Sequence, residues 1–442
     1  MARGLTLNEG ARQRDFVLLF LVMLTIAAGN TAMQSVLPAL GRSLGVRDSA
    51  VAAAFSVSAA IWVFAAPFWA KRLDRYGQRR LVVLGLAGFT LSTLVCGLFL
   101  TAGILGWLTP AAAFLSFLCG RMIYGAFGAA TPPAAQAMVA ARTSRAERTK
   151  ALTLLASAFG LGTILGPALG PYFILPVVGL AGPAFVFGAF GLAVTIAAAR
   201  LLPDDSPGQH GQGAAASYPA IGGQASGASV NAATAGPSVH VKLRDPRVFP
   251  WLLTGLVMGH AQAMAGQSIG FLVIDRLGGP LSLALQSTGL VLMMGAGASL
   301  LVQWGLIPIL NLKPRALILI GLIFSAIGCV LTGMGDSLYG IATGYALASL
   351  GFGFTRPGFT AGASLAVGNN AQGSVAGMTT AVNGAAFVLG PSLGVGLYEI
   401  WRPLPYNVAA AALILAFAYA WVTLRPSGRA ESASPGRRSR SD

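Results

Sequence analysis

The chain has 442 residues, of which 55% are hydrophobic and only 10% charged, and it carries a formal net charge of +16. An average soluble domain is about 25% charged, so this composition excludes an ordinary soluble protein and, being strongly apolar, a disordered one. The 58 glycines follow no three-residue period and the three cysteines cannot pair completely, which removes collagen-like and disulfide-scaffold architectures.

A helix that crosses a bilayer needs roughly 20 apolar residues. Runs of that kind are expected at about 16–39, 49–70, 81–103, 109–132, 149–173 and 180–201, then at 248–274, 283–309, 315–335, 338–360, 373–397 and 404–424. The expected fold class is an all-α integral membrane protein with twelve transmembrane helices. Between the sixth and seventh runs, residues 203–246 open with Pro203, Asp204, Asp205 and Pro207, continue rich in Gly, Ser and Ala, and close with Lys242, Arg244 and Arg247. Such a stretch reads as a flexible linker. It divides the chain into an N-terminal segment 1–15, a six-helix bundle 16–202, the linker, a second bundle 247–424 and a basic tail 425–442.

The 29 basic residues are distributed unevenly. With both termini cytoplasmic, 23 fall on the cytoplasmic side and only Arg42, Arg47, Arg276 and Arg402 on the outer side, as the positive-inside rule requires. Arg121 and Arg356 lie inside spans. The positive charge is thus a matter of topology, and no nucleic-acid partner is expected. The polar N-terminus runs directly into the first span without a small-residue cleavage pattern, so this span is expected to stay as an anchor. Cys96, Cys119 and Cys329 all fall in spans, where small, buried, reduced side chains are expected and neither metal nor cofactor is.

The two halves echo each other. Leu-Gly-Pro-x-Leu-Gly recurs at Leu165–Gly170 and Leu389–Gly394, and Leu81 with Gly85 is matched by Leu317 with Gly321. A duplicated six-helix unit with its site between the copies explains both.

Three segments carry a family resemblance. The loop after the second span reads Ala70-Lys71-Arg72-Leu73-Asp74-Arg75-Tyr76-Gly77-Gln78-Arg79-Arg80 and resembles the loop signature of the major facilitator superfamily, with Ala70 and Arg72 as departures. In the fourth span, Arg121-Met122-Ile123-Tyr124-Gly125-Ala126-Phe127-Gly128 is similar to that superfamily's arginine motif, with Tyr124 where a Gln is usual. The fifth-span run with Gly162, Gly166, Pro167 and Gly170 resembles the motif of its twelve-span drug:proton antiporters, the multidrug and tetracycline exporters, and Pro171 stands where the last Gly would. The resemblance covers about residues 16–424. It implies two six-helix bundles, a solute cavity lined by the first, fourth, seventh and tenth helices, and an inner gate held by Asp74, Arg75, Gly77, Arg79 and Arg80.

Depth identifies the residues of interest within the spans. Twelve residues from Thr109 at about 1.5 Å each put Arg121 roughly 18 Å into a ~30 Å core, where a lipid-facing arginine is too costly. It is either a solute or coupling group or a structural arginine bonded to carbonyls. None of the 13 acidic residues sits at mid-depth. Ten residues from Pro250 put His260 roughly 15 Å deep, and imidazole titrates near neutrality. His260 is therefore either the coupling proton's carrier or a hydrogen-bonded packing residue, with Asp74 or Asp275 as alternative carriers. Asn30 and Gln34 share a helix face, as do His260 and Gln267. With Arg121, Tyr124, Phe352, Phe354 and Arg356, and with Asn383 or Gln303 turned inward, they would line a mixed aromatic and cationic cavity without an acid.

The expected function is a proton-coupled antiporter that exports a small amphipathic solute across the cytoplasmic membrane, acting as a monomer in the lipid bilayer. A symporter importing an organic anion or nutrient is the nearest alternative, and a non-transporting receptor or scaffold the next. No paired acid, nucleophile with a base, metal cluster or phosphate loop suggests an enzyme.

Overall fold

The computed structural model describes residues 2–143, 148–203, 241–367 and 371–424. Most of the expected linker and all of the expected tail lie outside the described residues. The described part is built from twelve long helices: α1 (Ala2–Ser43), α2 (Asp48–Ala70), α3 (Gln78–Ile104), α4 (Pro110–Arg142), α5 (Arg148–Leu169) and α6 (Gly182–Leu201) in one bundle. The other bundle contains α7 (Phe249–Leu277), α8 (Leu281–Leu310), α9 (Pro314–Met334), α10 (Leu338–Leu365), α11 (Gln372–Ile400) and α12 (Leu404–Thr423).

Local chemistry sets the helix ends. Thr109 caps α4 by accepting from the Ala112 N–H at 3.3 Å, with Pro110 in the first turn, and Ser337 caps α10 by accepting from the Gly340 N–H at 3.2 Å. Gly77 takes φ +81 between the short turn Leu73–Tyr76 and α3, a backbone conformation that a side chain strains. Before α7, Arg247 hydrogen-bonds the Asp245 carboxylate and holds it down at about 2. A 3-10 turn at Gly128–Ala130 interrupts α4, and a π-helical turn at Leu301–Leu306 interrupts α8.

Ten of these helices are long and apolar enough to cross a membrane, and the two that fall short in apolarity are α7 and α10. Their polar residues are buried against protein: Thr254, Gln267 and Ser268 on α7, and Ser349, Thr355, Arg356 and Thr360 on α10. A helix too polar for lipid is stable in the middle of a bundle, because neighbouring helices take the place of lipid on every side. Cys96 and Cys329 are buried as expected, whereas Cys119 is exposed on α4; all three thiols are free. The expectation of a buried thiol fails at Cys119 because α4 turns that face out of its bundle.

The sequence echoes correspond to equivalent close packings. Gly162, Gly166 and Gly170 bring α5 against α1; a Cβ on Gly162 would stand 2.6 Å from the Leu24 carbonyl oxygen and 2.7 Å from Ala27 Cβ. In the second bundle, Gly390 and Gly394 bring α11 against α7 in the same way, with Ala263 Cβ 2.5 Å and the Met264 Cα 2.6 Å from the positions their Cβ atoms would take. Gly85 packs α3 on α4 at Thr131, and Gly321 packs α9 on α10 at Gly351 and Thr355. Small residues drive helix association in a membrane, where lipid removes any hydrophobic gain from burying one helix on another.

The two bundles meet at one end. In the half that bears the α1–α2 and α7–α8 turns, a single apolar cluster runs through both, with Leu37, Leu40, Phe55 and Phe117 joined to Ile269, Phe271, Leu272 and Leu285. In the opposite half the first bundle has a separate core around Ile26, Trp62, Leu86 and Met138. The second has its own clusters there, around Leu252, Ala363 and Val375 and around Val302, Leu317 and Phe354.

Polar contacts latch the joined end. Arg42, at the end of α1, donates to Asp275 of α7 at 2.5 and 3.1 Å and to Asp48 of α2 at 2.5 and 3.0 Å. Tyr398 of α11 donates to the same Asp275 at 2.6 Å, and Arg402 lies 3.5 Å from it. Beside this network the Ser49 N–H donates to Glu399 at 2.8 Å, and deeper in, Ser392 of α11 donates to Ser56 of α2 at 2.8 Å.

Two outcomes follow from this packing. Gly162→Ala is expected to lower thermal stability by an overpacking cost of ~1–3 kcal/mol, read as a fall in melting temperature of the purified protein. Gly297→Ala, where a Cβ meets nothing within 4 Å, should leave it unchanged. For the latch, Asp275→Asn is expected to shift spin labels at Arg47 and Ser282 towards longer separation, raising the opened population about tenfold, or ~1.4 kcal/mol. An unchanged distance distribution would mean that the apolar cluster alone closes this end.

Candidate functional site

The centre of the molecule is built around Arg121. It projects from α4 between the bundles, is buried to 7% exposure, and donates through Nη2 to Asn30 Oδ1 of α1 at 2.9 Å. Its guanidinium stands 4.8 Å from the Phe55 ring and 5.1 Å from the Tyr124 ring, so aromatic faces supply part of the negative potential a buried cation needs. Its Nε has no hydrogen-bond partner. Arg121 lines a cavity with Asn30, Gln34, Phe55, Ser58 and Phe387, in which no acidic side chain takes part.

The second bundle repeats the device. Arg356 of α10 is buried and donates to Gln262 Oε1 of α7 at 2.5 Å, and its guanidinium lies 6.0 Å from the Phe387 ring. Each bundle therefore sets a buried arginine from its fourth helix on an amide oxygen from its first. A second cavity adjoins, lined by Thr31, Gln34, Thr163, Gln262, Ser299 and Phe352 among others. Gln34 belongs to both.

The residues named from the sequence are brought together only in part. Asn30, Gln34 and Arg121 meet in the central cavity, and Arg356 stands behind Gln262 and Phe387. Tyr124 is packed on Trp62 and Phe89 at ring separations of 5.1 and 5.9 Å, and its hydroxyl has no partner. Gln267 and Asn383 are buried, with Gln267 Oε1 and both polar atoms of Asn383 unpaired. His260 is half-buried on α7 and outside both cavity linings; its Nδ1 lies 2.8 Å from the Leu256 carbonyl oxygen of its own helix. Of the loop set, Asp74 lies in the Leu73–Tyr76 turn, and its side chain is outside the described residues. Arg79 donates to the Ala199 carbonyl of α6, Arg75 sits over Tyr76 and Arg80 is exposed. Gly162, Gly166 and Gly170 are packing residues against α1, whereas Pro167 lies beside Gly289 of α8 and lines the second cavity.

Sequence reasoning did not single out Gln262, Thr31 or Thr163 as lining residues, and it did not pair Arg42 with Asp275. One signal for the latch is present in the sequence: Arg42, Arg47, Arg276 and Arg402 lie in the same segments as Asp48, Asp275, Asp336 and Glu399. A balance of that kind suits ion pairing rather than a topology signal.

Comparison with known proteins matches this architecture. Residues 19–391 match the Major Facilitator Superfamily. Among curated proteins, "Multidrug resistance protein 2" of Bacillus subtilis is 30% identical over 152 residues, 34% of either chain. "Tetracycline resistance protein, class B" of Escherichia coli is 31% identical over 155 residues, 34% of this chain and 35% of that one. The aligned part thus spans about a third of the curated relatives. Among solved structures, the human organic anion transporter MFSD10 (TETRAN) superposes with a TM-score of 0.62 at 19% identity, covering 92% of this chain and 99% of that one. A bacterial homolog to the human lysosomal transporter Spinster, in an inward-facing and occupied conformation, gives 0.72 at 13% identity over 94% and 97%. These neighbours are transporters rather than enzymes, and their likeness at such identity is one of fold. With most of its length matched, the chain belongs to the Major Facilitator Superfamily.

Proposed function

We propose that the protein is a secondary active transporter that alternates access to the Arg121 cavity and exports a small amphipathic organic solute in exchange for protons. The observation that carries this reading is a buried, incompletely bonded cation in a cavity between two bundles whose main apolar cores, among the described residues, join in one half, with a small contact of Ala59 on Ala263, Ala386 and Phe387 deeper in. A site enclosed by two bundles that meet at one end is what a rocking mechanism uses. The basic residues orient it: the face with the α2–α3 loop is cytoplasmic and the latched face is outer. The conformation is then closed to the outside. Relatives named for multidrug and tetracycline resistance support the outward direction.

In this reading Arg121 binds the solute or couples it to protonation. Gln34 and Asn30 orient it, Arg356 holds Gln262 in the lining of the second bundle, and Gln267 and Asn383 are buried polar groups that the solute reaches as that bundle moves. His260 carries the proton through Nε2, since Nδ1 is engaged by the Leu256 carbonyl. Asp74 with Arg75, Arg79 and Arg80 holds the cytoplasmic end when that end closes. The protein works as a monomer in the cytoplasmic membrane, with the linker and both termini on the inner side. One observation favours a second reading, import of an organic anion with protons: the centre holds two buried arginines and its cavities are lined by no acid.

Liposomes enclosing a pH-sensitive dye separate the two. Under an imposed proton gradient, addition of amphipathic drugs is expected to produce proton movement opposite to the solute, and co-directional movement would establish the importer. Arg121→Lys keeps the charge but loses the planar fork, and is expected to reduce solute-dependent flux at least tenfold. His260→Gln should abolish uphill exchange while leaving downhill solute movement. Uphill transport retained in both His260→Gln and His260→Ala would remove histidine from the coupling.

A further inference from the structure

We infer that the centre takes its solute in two parts: an anionic group on Arg121 and a neutral body rich in hydroxyl groups in the adjoining cavity, so that the solute is a hydroxylated organic anion. This deepens the transport reading above and rests on it. Four observations carry it. The adjoining cavity is lined by Thr31, Thr163, Ser299, Tyr345, Ser349 and Gln262 together with apolar residues, and no charged side chain belongs to its lining. It is continuous in lining with the Arg121 cavity through Gln34, which borders both. Gln34 is 9% exposed and its amide makes no hydrogen bond among the described residues, so its donors and acceptor are open to an occupant of either cavity.

The fourth observation gives the polarity of the second compartment. Thr31 Oγ1 donates to the Ala27 carbonyl at 2.8 Å, and Thr163 Oγ1 donates to the Gly160 carbonyl at 2.7 Å. A hydroxyl has a single proton and two lone pairs. With the proton committed to its own helix, Thr163 keeps acceptor lone pairs, whereas Thr31 Oγ1 is packed towards Gly162 and Gly166 of α5. With the Gln34 amide and the hydroxyls of Ser299, Tyr345 and Ser349 in the same lining, the compartment offers both acceptors and donors, which a body carrying hydroxyl groups satisfies and a purely apolar one does not. Arg121, whose Nε is unpaired and which no carboxylate among the described residues neutralises, fixes the sign of the other end. Gln262 is set in place by Arg356 behind it, which makes Arg356 a positioning residue for this compartment.

The test measures ligand-induced thermal stabilisation of the purified full-length protein, with gluconate, hexanoate and sorbitol as probes. These supply both features, the anion alone and the hydroxyls alone. Gluconate is expected to stabilise at concentrations at least tenfold below either of the others. Thr163→Val preserves shape and removes the acceptor, so it should shrink the advantage of gluconate over hexanoate; Ser349→Ala is the second variant. Arg121→Gln should instead shrink the advantage of gluconate over sorbitol. A role in folding alone would weaken all probes together and leave these ratios intact. Hexanoate binding as tightly as gluconate, ratios unchanged by both cavity variants, or no stabilisation by any probe at millimolar concentration would each overturn the inference. Proton exchange with apolar drugs in the liposome assay, beside any of those outcomes, leaves the transport reading standing while this one falls. Gluconate binding with no solute-dependent proton movement has the opposite meaning.

Discussion

The charge of Arg121 is held in the middle of the molecule without a carboxylate among the described residues beside it, and much of the architecture follows from that. Removing an ion of this kind from water costs several kcal/mol, and here the compensation is an amide oxygen from Asn30 and two aromatic faces, Phe55 and Tyr124. Neither kind of contact neutralises a unit charge. The arginine can be kept there only if helices enclose it completely, which the glycine contacts of α5 on α1 and of α3 on α4 allow by bringing backbones close. The residual demand for negative charge is then left facing a cavity. An aspartate in that position would have satisfied the arginine permanently.

The fold was legible because its determinants are local. Span length and the glycine and proline repeats are read along the chain, and the repeats proved to mark equivalent helix contacts in the two bundles. Arg121 was legible from depth alone, since no arginine can face lipid at that level. Helix rotation was not legible. A surface helix announces its buried face by apolar periodicity, but α7 and α10 are surrounded by protein and bury residues on every face. His260 and Gln262 lie two positions apart and so point to nearly opposite sides of α7. Depth favoured the histidine, whereas the structure places the glutamine in the cavity lining and on Arg356.

The latch was illegible for a different reason: its partners, Arg42 and Asp275, are 233 positions apart, and their meeting depends on how the bundles tilt. The internal repeat makes the arrangement informative. Arg42 is the penultimate residue of α1 and Arg276 the penultimate residue of α7. Arg276 pairs with Asp336 inside its own bundle, while Arg42 reaches across to Asp275. Of these two equivalent arginines, only the first is used to join the halves.

That asymmetry bears on how the closed end can open. Charged hydrogen bonds contribute about 1.5–3 kcal/mol each when well buried, and exposed ion pairs about 0.2–1 kcal/mol. The half-buried latch, with 30% of the Arg42 side chain and 15% of that of Asp275 exposed, falls between those limits. Millimolar to micromolar solute binding supplies about 4–8 kcal/mol, of which only the part that differs between the two conformations can drive the change. A single cross-bundle network centred on Asp275 lies within reach of that difference. Two such networks, one from each repeat, would approach the whole of it and hold the centre shut. Keeping the second arginine inside its own bundle therefore leaves the joined end with one charged network centred on Asp275, well below the strength that two such networks would have.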